Sequence, residues 1–110
     1  MIDWDRVSEL RYELGAEGFR EVAELFLEEV ESLLARVPDR IDRREDDMHF
    51  LKGSAWNLGF EALASLCQDG ERCAARGDGA SVDVPAICKT WEESRTQFLE
   101  GIGPGWGAAA

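Results

Sequence analysis

The stretch HFLKGSAWNLGF, residues 49–60, decides how this chain is read. Counted from Met48, its apolar residues recur at Leu51, Ala55 and Leu58. That spacing of three and four belongs to one face of a helix, not to a strand. Gly59 follows Leu58, where a left-handed C-terminal cap places a glycine. At about 100° per residue, His49 lies roughly 140° around the helix from the centre of that stripe. The only histidine of the chain is therefore expected to face solvent. Lys52 and Gly53 flank it one turn on, and Trp56, a further turn along, continues the outward face. Gly53 costs about 1 kcal/mol relative to alanine inside a helix. Because it points away from the core stripe, the cost is better explained by access to the imidazole than by close approach of a neighbouring helix.

Outward from this segment, every long stretch repeats its apolar residues at three and four and none alternates at two. Asp3 to Leu14 forms a short helix with Val7, Leu10 and Leu14 on one face, interrupted by Gly15 and Gly18. A longer helix runs from about Glu17 to Arg36. Its stripe is Phe19, Val22, Phe26, Val30, Leu33 and Val37, with Glu21, Glu24, Glu28 and Glu31 outside it. Pro38 closes it, because proline disfavours helical geometry in the preceding residue. Asp39 is placed to cap the third helix, which runs to Leu58. The stripe of that helix reaches back to Arg44, which is expected to snorkel at the end of the bundle. A fourth helix, about Glu61 to Arg76, carries Leu63, Leu66, Gly70 and Cys73. After the loop GDGAS, residues 77–81, Pro85 opens a fifth with Val84, Ile87, Trp91, Phe98 and Ile102. The pattern predicts an all-α chain: an antiparallel up-and-down four-helix bundle with a short extra N-terminal helix. Residues 1–102 form one domain, and residues 103–110 read as a flexible tail.

Composition narrows the function classes. A formal charge of −11 argues against nucleic acid and against an anionic membrane, leaving protein partners or small molecules. Cys67, Cys73 and Cys88 contain no CxxC pair, and with one histidine they make no zinc constellation. They read as free thiols of a reducing compartment. Met1 leads straight into IDWDRVSEL, and no apolar run approaches the roughly 18 residues of a membrane span. A soluble, cytoplasmic protein is expected.

The next helix supplies His49 with a partner. A hairpin turning near Gly59 and Phe60 sets residue x opposite about 120 − x, which brings Glu71 across from His49 and Cys67 across from Gly53. A carboxylate accepting the Nδ1 proton fixes the tautomer and leaves Nε2 as the nucleophile. Lys52 is then placed to balance negative charge arriving at Nε2.

The set His49-x-x-Lys52-Gly53-Ser54, then Leu58-Gly59, then Cys67 and Glu71, resembles the histidine phosphotransfer (HPt) domain of two-component phosphorelays. IDWDRVSEL and EVAELFLEEVESLL resemble the first two helices of that family, so about 100 residues are covered. The resemblance implies a phosphorelay intermediate. His49 would accept a phosphoryl group at Nε2 from a receiver-domain aspartate and pass it to another receiver. Lys52 would steady the phosphoryl oxygens, Gly53 would give the receiver room, and Glu71 would bond the ring. Magnesium would belong to the receiver, so no cofactor is expected here. No nucleotide-binding motif is present, and autonomous ATP-dependent kinase activity is not expected. Response-regulator receiver domains and hybrid sensor kinases are the implied partners. Two departures stand out: Gly70 occupies a position where relatives usually carry leucine, and Trp56 stands at a variable position. Trp56 is assigned to partner binding on exposure alone, and the bundle is expected to be a monomer. Two other readings survive: a helical module that sequesters a response regulator or kinase without being phosphorylated, and a purely structural bundle.

Overall fold

The computed structural model describes residues 1–103, and residues 104–110, most of the expected tail, lie outside it. Four helices account for most of the described chain: α1 (Trp4–Arg36), α2 (Arg44–Leu58), α3 (Glu61–Ala75) and α4 (Val84–Ile102). No strand occurs among the described residues. The fold is an all-α helical bundle, as the periodicity requires.

The expected short N-terminal helix and the long one after it are both present as the two arms of α1, which meet at a kink at Gly15. Its φ of 75° and ψ of 168° are far from helical values, in a region that favours glycine. Gly18, expected to share in the interruption, stays helical. Asp3 caps the start of α1, its Oδ1 accepting from the Arg6 amide at 3.2 Å. Asp83 does the same for α4, accepting from the Ala86 amide at 3.1 Å.

Beyond Pro38 the chain departs from expectation. Residues 37–43 form two successive 3-10 turns, so α2 begins at Arg44 and Asp39 does not cap it. The reason is a buried guanidinium. Arg44, expected to snorkel, is only 4% exposed. It donates from Nη2 to the Val37 carbonyl at 2.8 Å and from Nη1 to the Gly79 carbonyl at 3.0 Å. The Val37 carbonyl, bonded to this side chain and to the Arg40 amide at 3.0 Å, belongs to a turn that arginine holds tight. Arg44 thus ties the start of α2 to the α1–α2 and α3–α4 connections.

The other end of α2 follows the sequence. Gly59 has φ 81° and ψ 19°. The Phe60 amide donates to the Ala55 carbonyl at 2.8 Å and the Gly59 amide to the Trp56 carbonyl at 3.2 Å, the paired bonds of a Schellman cap. The Asp3 amide reaches the Gly59 carbonyl at 2.7 Å, docking the N-terminus on this turn. Phe60 then enters the core, fully buried, with ring centroids 4.8 Å from Phe26, 5.7 Å from Trp91 and 5.2 Å from Phe98. These rings join α1, α4 and the α2–α3 turn in one apolar cluster. Cys67 lies in the same core, where burial pushes its thiol up to about 12. Along the long arm of α1 the buried stripe is Phe19, Ala23, Phe26, Val30, Leu33 and Leu34, and Val37 continues it into the first 3-10 turn. Val22, assigned to that stripe from the sequence, is 44% exposed, and Leu14 beside the Gly15 bend is also exposed. Ala23 sits at i+4 from Phe19 and i−3 from Phe26, so the helical period selects it over its larger neighbour.

Candidate functional site

The α2–α3 hairpin turns within two residues, so facing positions are fixed by the length of the turn alone. Glu71 on α3 stands beside His49 on α2. Its Oε2 lies 2.6 Å from His49 Nδ1, while the other oxygen, Oε1, accepts from Lys52 Nζ at 2.5 Å. One carboxylate therefore bridges the histidine and the lysine. The hairpin register alone puts Glu71 in reach of the ring. It does not reveal the Lys52–Glu71 pair, since Lys52 is aimed from the sequence at charge arriving on Nε2.

The electrostatics follow from this bridge. The Lys52 ammonium holds the Glu71 carboxyl below the usual carboxylate range, and the bond to His49 adds to the effect against partial desolvation. Glu71 is ionised at neutral pH. An ionised carboxylate only accepts, so the proton of a neutral His49 belongs on Nδ1 and the lone pair on Nε2. No described side chain bonds Nε2, and the His49 side chain is 70% exposed, against 20% for Glu71 and 23% for Lys52. The ring is thus held at Nδ1 and open at Nε2.

Gly53 lies one turn beyond His49. A Cβ built there meets no atom within 4 Å, so nothing inside the molecule requires a glycine. Trp56 is 51% exposed, as the helical phase predicts. Sequence reasoning misses Phe50 on α2 and Leu25 on α1, both about half exposed, and places Val22 in the core. Trp56, Phe50, Leu25 and Val22 are thus apolar side chains left exposed on α2 and α1. A groove of about 290 Å³ between these helices is lined by Arg6, Val22, Leu25, Glu29, Ser54 and Asn57. The signal available in the sequence is that Phe50 and Leu25 fall off both core stripes. Among the described residues no cluster of three or more His, Cys, Asp or Glu is placed to hold a metal ion.

The arrangement is a surface histidine on a helical bundle, held through Nδ1 by an acidic residue of the next helix. The chain matches the family model of the Hpt domain over residues 19–101 and belongs to that family. It is a phosphorelay intermediate, carrying a phosphoryl group as phosphohistidine between receiver domains. Among characterised proteins it is similar to the phosphorelay protein LuxU of Vibrio vulnificus, in strains YJ016 and CMCP6. Each is 27% identical over 106 residues, spanning 90% of this chain and 92% of the relative. No solved structure matches.

Proposed function

We propose that His49 is the phosphorylated residue and that Lys52, Gly53 and Glu71 serve its reaction with receiver domains. The observation that carries this reading is the ionised Glu71 carboxylate on Nδ1 of an otherwise open ring. The Nε2 lone pair attacks the phosphorus of a receiver's aspartyl phosphate. The N–P bond forms, the P–O bond breaks, and the aspartate leaves as a carboxylate with the electron pair. The Nδ1 proton stays, so the ring becomes an imidazolium whose charge Glu71 offsets. Lys52, one helical turn away, balances the incoming phosphoryl oxygens. Delivery to a second receiver is the same step reversed. Magnesium acts from the receiver, and no phosphoryl transfer from ATP is part of the cycle.

The partners are receiver domains, free or within hybrid sensor kinases. They dock on Trp56, Phe50, Val22 and Leu25, and the open side of Gly53 lets the receiver's aspartate approach the ring. Receiver active sites are themselves acidic, so with a charge of −11 on this chain apolar contact carries the affinity. Among the described residues no helix is long and apolar enough to cross a membrane. We assign the chain to the cytoplasm as a monomer, with residues 1–102 as the functional unit.

The test is to incubate the protein with a phosphorylated receiver domain and to repeat it with His49→Gln. Acid-labile, base-stable label on the native chain and none on the variant is the expected result. A folded protein that binds receivers but takes no label would be a sequestering module instead.

A further inference from the structure

Gly70 sits inside α3, where a glycine weakens a helix relative to alanine and where no positive φ calls for one. The reason is contact. A Cβ at Gly70 would lie 2.9 Å from Met48 Sδ, 3.2 Å from Met48 Cγ and 3.2 Å from Val82 Cγ1. Met48 is wholly buried, so its thioether occupies the space a side chain at position 70 would take. This is the opposite of Gly53, whose Cβ position is open.

The position of this contact matters more than its existence. Met48 immediately precedes His49, and Gly70 immediately precedes Glu71. Successive helical residues differ by about 1.5 Å along the axis and about 100° around it. The buried Met48–Gly70 contact and the surface His49–Glu71 bond therefore lie at one level of the α2–α3 seam, the first facing inward and the second outward. Any group that forces the helices apart at the first will lengthen the second. Glu71 has little slack to compensate, because its two oxygens are already held by different residues.

We propose that Gly70 is a positioning residue for phosphotransfer: its missing side chain seats Met48, and that seating sets the α2–α3 spacing that brings Glu71 onto His49 Nδ1. The proposal rests on the reading of His49 as the phosphoacceptor. It assigns to the glycine a function beyond packing, exerted through Glu71.

The test uses Gly70→Leu, Gly70→Leu combined with Met48→Ala, and Gly70→Leu in a Glu71→Gln background. Thermal unfolding establishes that each is folded, with the smaller Gly70→Ala replacing the leucine variant if that one is not. Nitrogen-15 NMR of the imidazole reads the share of the Nδ1–H tautomer, and transfer from a phosphorylated receiver gives the rate. Gly70→Leu should lower the Nδ1–H share and slow transfer about fivefold or more, and removing the Met48 side chain should restore both to within about twofold. In the Glu71→Gln background the leucine should cost no further rate, since the bond it disturbs is already weakened. A merely structural glycine would instead give equal losses in both backgrounds and leave the tautomer unchanged, and either result overturns the proposal. The NMR reading does not depend on phosphorylation, so a native protein that takes no label would refute the assignment of His49 while the tautomer still judged Gly70.

Discussion

Replacing Gly53 separates stability from function more cleanly than any other change at the site. A glycine in a helix interior costs about 0.8–1.0 kcal/mol relative to alanine, and glutamine is nearly as good a helix former. A Cβ at this position meets no atom within 4 Å, so no clash subtracts from the gain. Gly53→Gln should therefore stabilise the native state by about 0.5–1 kcal/mol, a rise in melting temperature of roughly 3–6 °C for a domain of this size. Transfer should move the other way. The receiver must bring its phosphorus to about 3–3.5 Å from Nε2, and a misplacement of about 1 Å can cost on the order of 100-fold. A glutamine one turn from His49 stands in that approach path, so the transfer rate should fall by about that factor, while Gly53→Ala shows the stability gain with a smaller kinetic loss. Thermal unfolding followed by far-UV circular dichroism reads the first quantity. Transfer of label from a phosphorylated receiver reads the second. A glutamine variant that is more stable and transfers at the native rate would refute the steric account. One that is less stable would show that α2 needs this glycine for an internal reason.

Three further outcomes are expected. Glu71 has a depressed native pKa, held down first by Lys52, so its contribution to stability is complete above the unfolded value near pH 4.3 and is lost as pH falls through the native one. The stability gap between the native protein and Glu71→Gln, from urea titrations, should close progressively below about pH 5; a gap that widens on acidification would contradict the ion pair. Ser94 is wholly buried on α4 and its Oγ has no hydrogen-bond partner. Ser94→Ala should thus raise stability by about 1 kcal/mol, and a lower melting temperature would mean that the hydroxyl is satisfied in solution. Trp56→Ala should weaken receiver binding about tenfold, as loss of a partly buried aromatic anchor does, with little change in salt dependence; a native affinity that falls steeply with salt would assign docking to charge instead.

How far the sequence can be read depends on whether each feature is local. The α2 stripe, the Gly59 cap and the Gly15 break are set by residues within a turn of one another, and all three are legible. So is the facing of His49 and Glu71, because a two-residue turn leaves little freedom in the register of a hairpin. The N-terminus of α2 is not legible. It is fixed by the Arg44 guanidinium, whose acceptors at Val37 and Gly79 lie 7 and 35 residues away. Val22 is misplaced because hydrophobicity ranks it above Ala23, whereas the packing phase of α1 chooses Ala23. Gly70 can be seen as unusual, but its reason is the Met48 side chain, and no spacing rule announces which residue fills a gap across a seam.

The Lys52–Glu71 bond is hidden for a different reason: the same lysine has a second, proposed partner in the incoming phosphoryl group. With His49 neutral, the three groups sum to zero, from one ammonium and one carboxylate. Once the phosphoryl group arrives, the imidazolium and Lys52 contribute two positive charges, while Glu71 and a phosphoryl dianion contribute three negative ones. Lys52 then lies between a carboxylate and a more highly charged anion, and Coulombic attraction favours the anion. On the proposed assignment, Lys52 would turn toward the phosphoryl oxygens and leave Glu71 to the imidazolium, whose charge would strengthen the bond at Nδ1. The resting ion pair keeps Glu71 ionised and facing His49 Nδ1, and in the proposed cycle Lys52 would become available when phosphoryl charge appears.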